Sequence, residues 1–222
     1  MFLLARLFVD MDWGLIAPVV IFGLAGRWDL WNVWAYAGIA VVLFSFQALV
    51  VYRKNPDLLK ERIKPPTRGR SPVSVIGGLV MVVLFYSIAG LDQRFHWSDV
   101  VPQAGVVAGL VIVAIGLGLF AWSMLVNPFF SFAVRTQADR GHQVINEGPY
   151  AIVRHPAYAG QLLFMITSGV ALNSLVSIIP IVLGGSFLIR RTAIEDGMLH
   201  DELVGYADYA AKVRYRLIPG IW

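Results

Sequence analysis

Six charged or ionisable residues crowd two short stretches in the C-terminal third of the chain. Arg154 and His155 stand directly before Pro156, and Arg190, Arg191, Glu195 and Asp196 follow after a run of 34 uncharged residues, Pro156–Ile189. That run reads as two short helices with a turn at Asn173-Ser174, each only about 16 residues and at the lower edge for crossing a bilayer. Helices this short tilt little or meet a locally thinned bilayer. Pro156 suits the first turn of the first helix, where its missing N–H would have no partner anyway. The hairpin is expected to end at Arg190-Arg191, with Glu195-Asp196 one turn later. His155 and the Arg190–Asp196 cluster then sit at the same membrane face, at the two open ends of one hairpin. Topology alone builds a site for a charged ligand beside the bilayer.

The rest of the chain must supply the membrane frame. Of 222 residues, 58% are hydrophobic and 14% charged, against about 45–50% and about 25% in soluble domains. A soluble core of this size could not bury so much apolar surface, so the surplus faces lipid. This excludes a secreted scaffold, a disordered chain and a soluble Rossmann enzyme. The absence of cysteine excludes disulfides, thiolate zinc sites and a catalytic thiol.

Uncharged runs place the helices. Trp13–Gly26 has 14 residues, Leu30–Tyr52 has 23, Ser71–Leu91 has 21 and Val100–Val134 has 35. The first is short for a span of about 20 residues and could borrow Met1–Val9, interrupted by Arg6. The last is too long for one helix, and Asn127-Pro128 is expected to break it, leaving a helix near Pro102–Val126. With the terminal hairpin this makes six hydrophobic segments in an all-α, multi-pass transmembrane bundle of five to six membrane helices. Gly105, Gly109, Gly116 and Gly118 point to close helix packing in the fourth segment. Arg6 and Asp10 interrupt the first stretch and no small-residue cleavage site follows, so no cleavable signal peptide is expected.

Basic residues set the sidedness. Arg53, Lys54, Lys60, Arg62, Lys64, Arg68 and Arg70 face only Asp57 and Glu61, whereas the Asp92–Asp99 loop carries one Arg against two Asp. The positive-inside rule places the first loop in the cytoplasm and the second outside. Six crossings then put both termini and Arg135–His155 in the cytoplasm. Trp28, Trp31, Trp34 and Trp97 lie near boundaries, as interfacial aromatics do. The basic run is a topology determinant touching anionic lipid rather than a nucleic-acid site. In the tail from Thr192 to Arg216, Leu199, Leu203, Tyr206 and Val213 recur at roughly helical spacing, which predicts an amphipathic interfacial helix.

The ordered polar series carries a resemblance. His142-Gln-Val-Ile-Asn-Glu-Gly-Pro-Tyr150 is followed by Arg154-His155-Pro156-Ala-Tyr158-Ala-Gly160. Then come Arg191-x-x-x-Glu195-Asp196-x-x-Leu199, Tyr206-x-x-Tyr209 and Arg216-Leu-Ile-Pro219. This series strongly resembles the isoprenylcysteine carboxyl methyltransferase family of integral-membrane enzymes, and Asn127-Pro-Phe-Phe-Ser131 with Gln137 looks like its prokaryotic branch. The resemblance covers about residues 125–222. It implies S-adenosylmethionine as cofactor, a lipophilic acceptor entering from the membrane, and a division into N-terminal transmembrane helices (residues 1–126) and a cofactor-binding, catalytic region (residues 127–222). Membrane lipids are the other expected partners, in what would be a bacterial cell membrane with the active site on the cytoplasmic side.

Methyl transfer from a sulfonium is an in-line displacement that needs an aligned acceptor and exclusion of water. A carboxylate acceptor is already ionised near neutral pH and needs no general base. It does need a counter-charge, and arginine can grip it with two parallel hydrogen bonds. The resemblance assigns this role to Arg191, with Arg190 as substitute; the plainer alternatives are an ion pair with Glu195 or a lipid phosphate anchor. It assigns Glu195 to cofactor binding and catalysis. His155 is the expected contact of the methionine carboxylate, and Pro156 and Ala157 beside it are expected at the cofactor as well. Tyr150 and Tyr158 would hydrogen-bond or stack on the cofactor. His142, Gln143, Val144 and Ile145 would surround adenine, and Gln137 is a further carry-over. Gly148 and Gly160 read as turn and packing residues.

Competing readings differ in chemistry. A phospholipid N-methyltransferase would want a carboxylate facing its amine acceptor, where Arg191 stands. A sterol-type membrane reductase would need basic residues for a 2′-phosphate. A non-enzymatic membrane protein could keep the cofactor shell, against which the retained Arg191 and Glu195 weigh. The four histidines are scattered without carboxylates at ligand spacing, so no metal is expected. No glycine-rich phosphate loop is present, and no nucleic-acid partner is expected.

Overall fold

The computed structural model describes residues 16–54, 72–98, 100–130 and 136–222. The basic run from residue 55 to Arg70, the stretch Met1–Val9 with Arg6, Asp10, the start of the first segment and Ser131 lie outside the described residues. Among those described, the fold is all-helical. We number the helices α1 (Ile16–Ala25), α2 (Trp31–Lys54), α3 (Pro72–Phe95), α4 (Gln103–Val126), α5 (Pro156–Ala171), α6 (Ile178–Glu202) and α7 (Tyr206–Lys212). Within α2, α3 and α4, the stretches Trp31–Arg53, Ile76–Phe95 and Gln103–Val126 are long and apolar enough to cross a membrane, and α1 is a shorter apolar helix. This is the expected multi-pass bundle.

The core joins every helix of the membrane part. Ile21 and Phe22 of α1, Val33 and Tyr36 of α2, Phe85 and Ala89 of α3, Val113 and Leu117 of α4, and Ile181 of α6 are buried in one cluster. On α4 the opposite face shows Val107, Val111, Ile115 and Trp122 to the surroundings, a stripe at helical spacing suited to lipid. The Tyr36 hydroxyl lies 3.0 Å from Ser168 Oγ and 3.4 Å from the Tyr86 hydroxyl, tying α2, α3 and α5 together. Such hydroxyl bonds hold helices together where water cannot compete.

α4 and α5 touch backbone to backbone. A β-carbon on Gly160 would lie 2.6 Å from the Gly116 carbonyl oxygen and 2.9 Å from Phe120 N. One on Gly109 would lie 2.8 Å from Ala171 N. Of the four glycines of this segment, Gly109 and Gly116 therefore make the close approach, while Gly118 faces open space. Gly160→Val is expected to force the two helices apart and cost about 1–3 kcal/mol, read as a lower thermal midpoint in detergent. An unchanged midpoint would show that the seam can relax.

The hairpin turn lies where expected, between Ala171 and Ile178. Asn173 adopts φ 53° there, a conformation asparagine tolerates better than most residues. Gln93 Nε2 donates to the carbonyls of Leu172 and Asn173, both at 2.9 Å, seating the turn on the end of α3.

The far end of the hairpin differs from expectation. α6 does not stop at Arg190-Arg191 but runs on to Glu202. Residues 192–202 contain no proline, and Ala193, Glu195, Met198, Leu199 and Glu202 are good helix formers, so charge alone does not break the helix. The break falls at Gly205, whose φ of 81° leads into the short α7. The tail is therefore not one amphipathic helix from 192 to 216. Its apolar residues Leu199, Leu203, Tyr206 and Val213 instead pack together with Val144, closing a cap over the end of the bundle.

Candidate active site

Pro156 occupies the first position of α5, and His155 before it has non-helical φ −126° and ψ 62°. This kink turns the His155 side chain toward α6. There Asp196, fully buried, gathers five hydrogen bonds. Arg154 donates to it from Nε at 2.8 Å and Nη2 at 3.0 Å. His155 Nε2 lies at 3.1 Å, and Tyr206 OH and Arg216 Nε each donate at 2.8 Å. Burial works against the charge of Asp196, but the bonds from His155, Arg154, Arg216 and Tyr206 outweigh it and hold the carboxyl well below the usual carboxylate range. Arg154 also donates to the carbonyls of Val213 and Arg214, and the backbone N–H groups of Arg154 and His155 donate to Tyr215 and Arg216. The non-helical tail is thus strapped to the mouth of the hairpin.

Asp196→Ala leaves two arginines without their shared counter-charge. Removing one partner of a buried pair costs about 3–5 kcal/mol, and a loss of this order in unfolding free energy is expected. The unfolded carboxyl titrates near 3.9 and the folded one lower. The contribution is therefore complete above about pH 4 and lost as pH falls further toward the folded value. The parent's melting temperature should drop in that acid range, and that of Asp196→Ala should drop less.

Above this hub lies the pocket, a cavity of about 210 Å³. Tyr158 OH donates to Glu195 Oε2 at 2.6 Å and accepts from Arg191 Nε at 2.9 Å. One phenol therefore bridges an anion and a cation on successive turns of α6. The His155 ring stacks on Tyr158 at 5.9 Å with 15° between planes. Tyr150 is buried; its hydroxyl accepts from Asn127 Nδ2 at 3.3 Å, and its carbonyl accepts from Tyr209 OH at 2.7 Å. Burial pushes the Tyr150, Tyr206 and Tyr209 hydroxyls up, so they remain protonated. Phe129 meets His142 at 4.7 Å between ring centres.

Most of the expected residues meet here. His142, Gln143, Val144 and Ile145 form one wall, and Tyr150, His155, Ala157, Tyr158, Arg191 and Glu195 form the others. Among the described residues the backbone of Gln143–Ile145 makes no hydrogen bond to other backbone, which leaves its N–H and C=O groups open to a ligand. Three expected residues lie outside the lining. Gln137 is fully buried beneath the loop, donating to the Phe129 carbonyl at 2.6 Å and accepting from Arg140 at 2.5 Å. Pro156 serves as the helix start. Arg190 is exposed and points away from the cavity that its neighbour lines. His155 lines the cavity, but its Nε2 faces Asp196, so only Nδ1 remains for a bound group.

Sequence reading missed Asp196 as a hub and missed Phe129, Leu199, Leu203, Tyr206 and Tyr209 as lining. For the tail residues the signal is their helical spacing, which fits a membrane surface as well as it fits the pocket.

The fold and site together define an integral-membrane helical protein whose pocket is built by the mouth of its C-terminal hairpin. Residues 107–201 match the model of the isoprenylcysteine carboxyl methyltransferase (ICMT) family, a stretch that runs from α4 through Glu195. The match takes in the motifs from His142 to Leu199 that carry the likeness in sequence and stops short of Tyr206-x-x-Tyr209 and Arg216-Leu-Ile-Pro219. It is 26% identical over 145 residues to protein-S-isoprenylcysteine O-methyltransferase B of Arabidopsis thaliana, covering 64% of this chain and 68% of that protein. Its fold is similar to the solved structure of a eukaryotic intramembrane Ras methyltransferase, isoprenylcysteine carboxyl methyltransferase. The TM-score is 0.53 at 20% identity, over 93% of this chain and 73% of that one.

Proposed function

We propose that the chain is a membrane methyltransferase that takes its methyl group from S-adenosylmethionine and delivers it to the carboxylate of a lipophilic acceptor, an isoprenylcysteine-type or related amphiphile. Its active site would face the cytoplasm of a bacterial cell. The observation that carries this reading is the Arg191–Tyr158–Glu195 chain of hydrogen bonds within one pocket.

The lining fits the cofactor. The open backbone of Gln143–Ile145 and the side chains of Val144 and Ile145 suit adenine, with His142 and Phe129 beside them. Glu195 and the aromatic faces of Tyr150 and Tyr158 suit a cation. Bound there, S-adenosylmethionine supplies an electrophilic methyl group. Arg191 holds the acceptor carboxylate by a two-pronged grip without competing for the methyl. Tyr158 fixes Arg191 and Glu195 relative to each other, so cation and anion stand a set distance apart before any ligand arrives. The cap formed by Leu199, Leu203 and Tyr206 keeps bulk water from the reacting groups.

The test is incubation of purified protein with methyl-labelled S-adenosylmethionine and a membrane lipid extract. Label in the lipid phase that mild base releases as methanol is the expected result, as for a methyl ester. Base-stable label would mean a methylated amine and would overturn the carboxylate acceptor. No transfer from any extract would overturn the reading as a whole.

A further inference from the structure

The pocket has a deeper end, away from the polar cap. Phe120 of α4, Gln161 of α5 and Leu188 of α6 line it there. Gln161 lies three residues beyond Tyr158, on the same face of α5 and about 4.5 Å further along the helix axis. Leu188 lies three residues before Arg191 on the antiparallel α6, and so at matching depth. Phe120 packs edge-on against Phe130, with ring centres 5.8 Å apart. Above the Tyr158–Arg191 pair the lining thus contains two apolar side chains and one amide.

Among the described residues Gln161 makes no hydrogen bond, although it is half-buried. The polar side chains below it are engaged: Tyr158 with Glu195 and Arg191, and His155 with Asp196. Among the described residues only Ser174 Oγ is a buried side-chain polar atom without a partner, so the Gln161 amide is not sealed off but opens on the cavity that it lines, where leucine would present no hydrogen-bonding group. Packing does not demand glutamine either, because the α4–α5 seam is closed by Gly116 and Gly160.

We propose that Gln161 is a specificity-determining residue for the acceptor, its amide pairing with a polar group that the acceptor carries about one helical turn deeper than its carboxylate. This rests on the proposed transfer to a carboxylate. With that carboxylate on Arg191, the adjoining chain passes Gln161 before reaching Phe120 and Leu188. A carboxamide offers both donors and an acceptor, so it matches an amide and leaves a bare hydrocarbon chain unrewarded. Sites that hydrogen-bond a substrate group reject analogues lacking it, because their own polar atoms are then stranded.

The experiment compares two acceptors of matched chain length, a long-chain N-acylglycine and a plain fatty acid, with S-adenosylmethionine and the detergent-purified protein. The parent is expected to favour the N-acylglycine by about tenfold or more in kcat/KM. Gln161→Leu is expected to lose that preference, chiefly through a raised KM for the N-acylglycine, while calorimetry still detects cofactor binding. Equal use of both acceptors by the parent overturns the role of Gln161 and leaves the methyltransferase reading standing. A preference that survives in Gln161→Leu also overturns it. Should that variant fail to fold, the parent's comparison alone decides. Failure of the parent to methylate any carboxylate overturns both.

Discussion

Glu195→Ala will bind S-adenosylmethionine about 10–100-fold more weakly than the parent, measured by calorimetry in detergent. The figure follows from hydrogen bonds to charged groups, worth about 1.5–3 kcal/mol each, with 1.4 kcal/mol equal to tenfold. Glu195 is half-buried on the pocket wall, and its Oε2 is fixed by Tyr158 at 2.6 Å. A carboxylate held in place before the ligand arrives loses little freedom on binding, so its loss is felt almost in full. Glu195→Gln retains a partner for Tyr158 but not the charge, and should fall between the two. Unchanged affinity in Glu195→Ala would remove the carboxylate from the cofactor site.

Arg191→Ala will retain cofactor binding and lose turnover by about 100–1,000-fold, the usual scale for deleting a group that positions or stabilises the reacting charge. Arg191 lines the cavity, its Nε donates to Tyr158 at 2.9 Å, and the guanidinium lies 5.7 Å from the centre of that ring. The anchoring through Nε orients the guanidinium fork. Arg191→Lys should also be impaired, because an ammonium cannot form two parallel hydrogen bonds to a carboxylate. Arg190→Ala is the informative contrast: Arg190 is exposed and outside the lining, and its removal should leave turnover near that of the parent. A full rate in Arg191→Ala would reject the acceptor role.

The membrane frame was legible because uncharged runs and charged interruptions mark helices directly. Leu30–Tyr52 and Ser71–Leu91 correspond to α2 and α3 within a few residues at each end, and the break at Asn127-Pro128 ends α4 as expected. The Asn173 turn was legible for the same reason. What the pattern could not show was how far α6 continues. Arg190-Arg191 ends an apolar run, but a helix ends only where its backbone is interrupted, and that happens after Glu202. The extra turns carry Glu195, Met198 and Leu199 over the cavity instead of along a bilayer surface.

Arg191, Glu195, Tyr158 and the His142–Ile145 stretch, which the ordered motifs single out, all line one cavity. In the sequence Asp196 is only one more charge beside Glu195. Its partners come from positions 154, 155, 206 and 216, separations that no local spacing can reveal. The same holds for Arg190 and Arg191: adjacent residues of one helix point about 100° apart, and only the packing of α5 against α6 decides which one enters the pocket.

The most direct test of the central claim is to determine where the demethylated cofactor lies, by solving the structure of the purified protein with S-adenosylhomocysteine. The account predicts density in the hairpin-mouth cavity, with adenine against Gln143–Ile145 and the sulfur between Glu195 and Arg191. Density at any other position, with that cavity left to solvent, would contradict it.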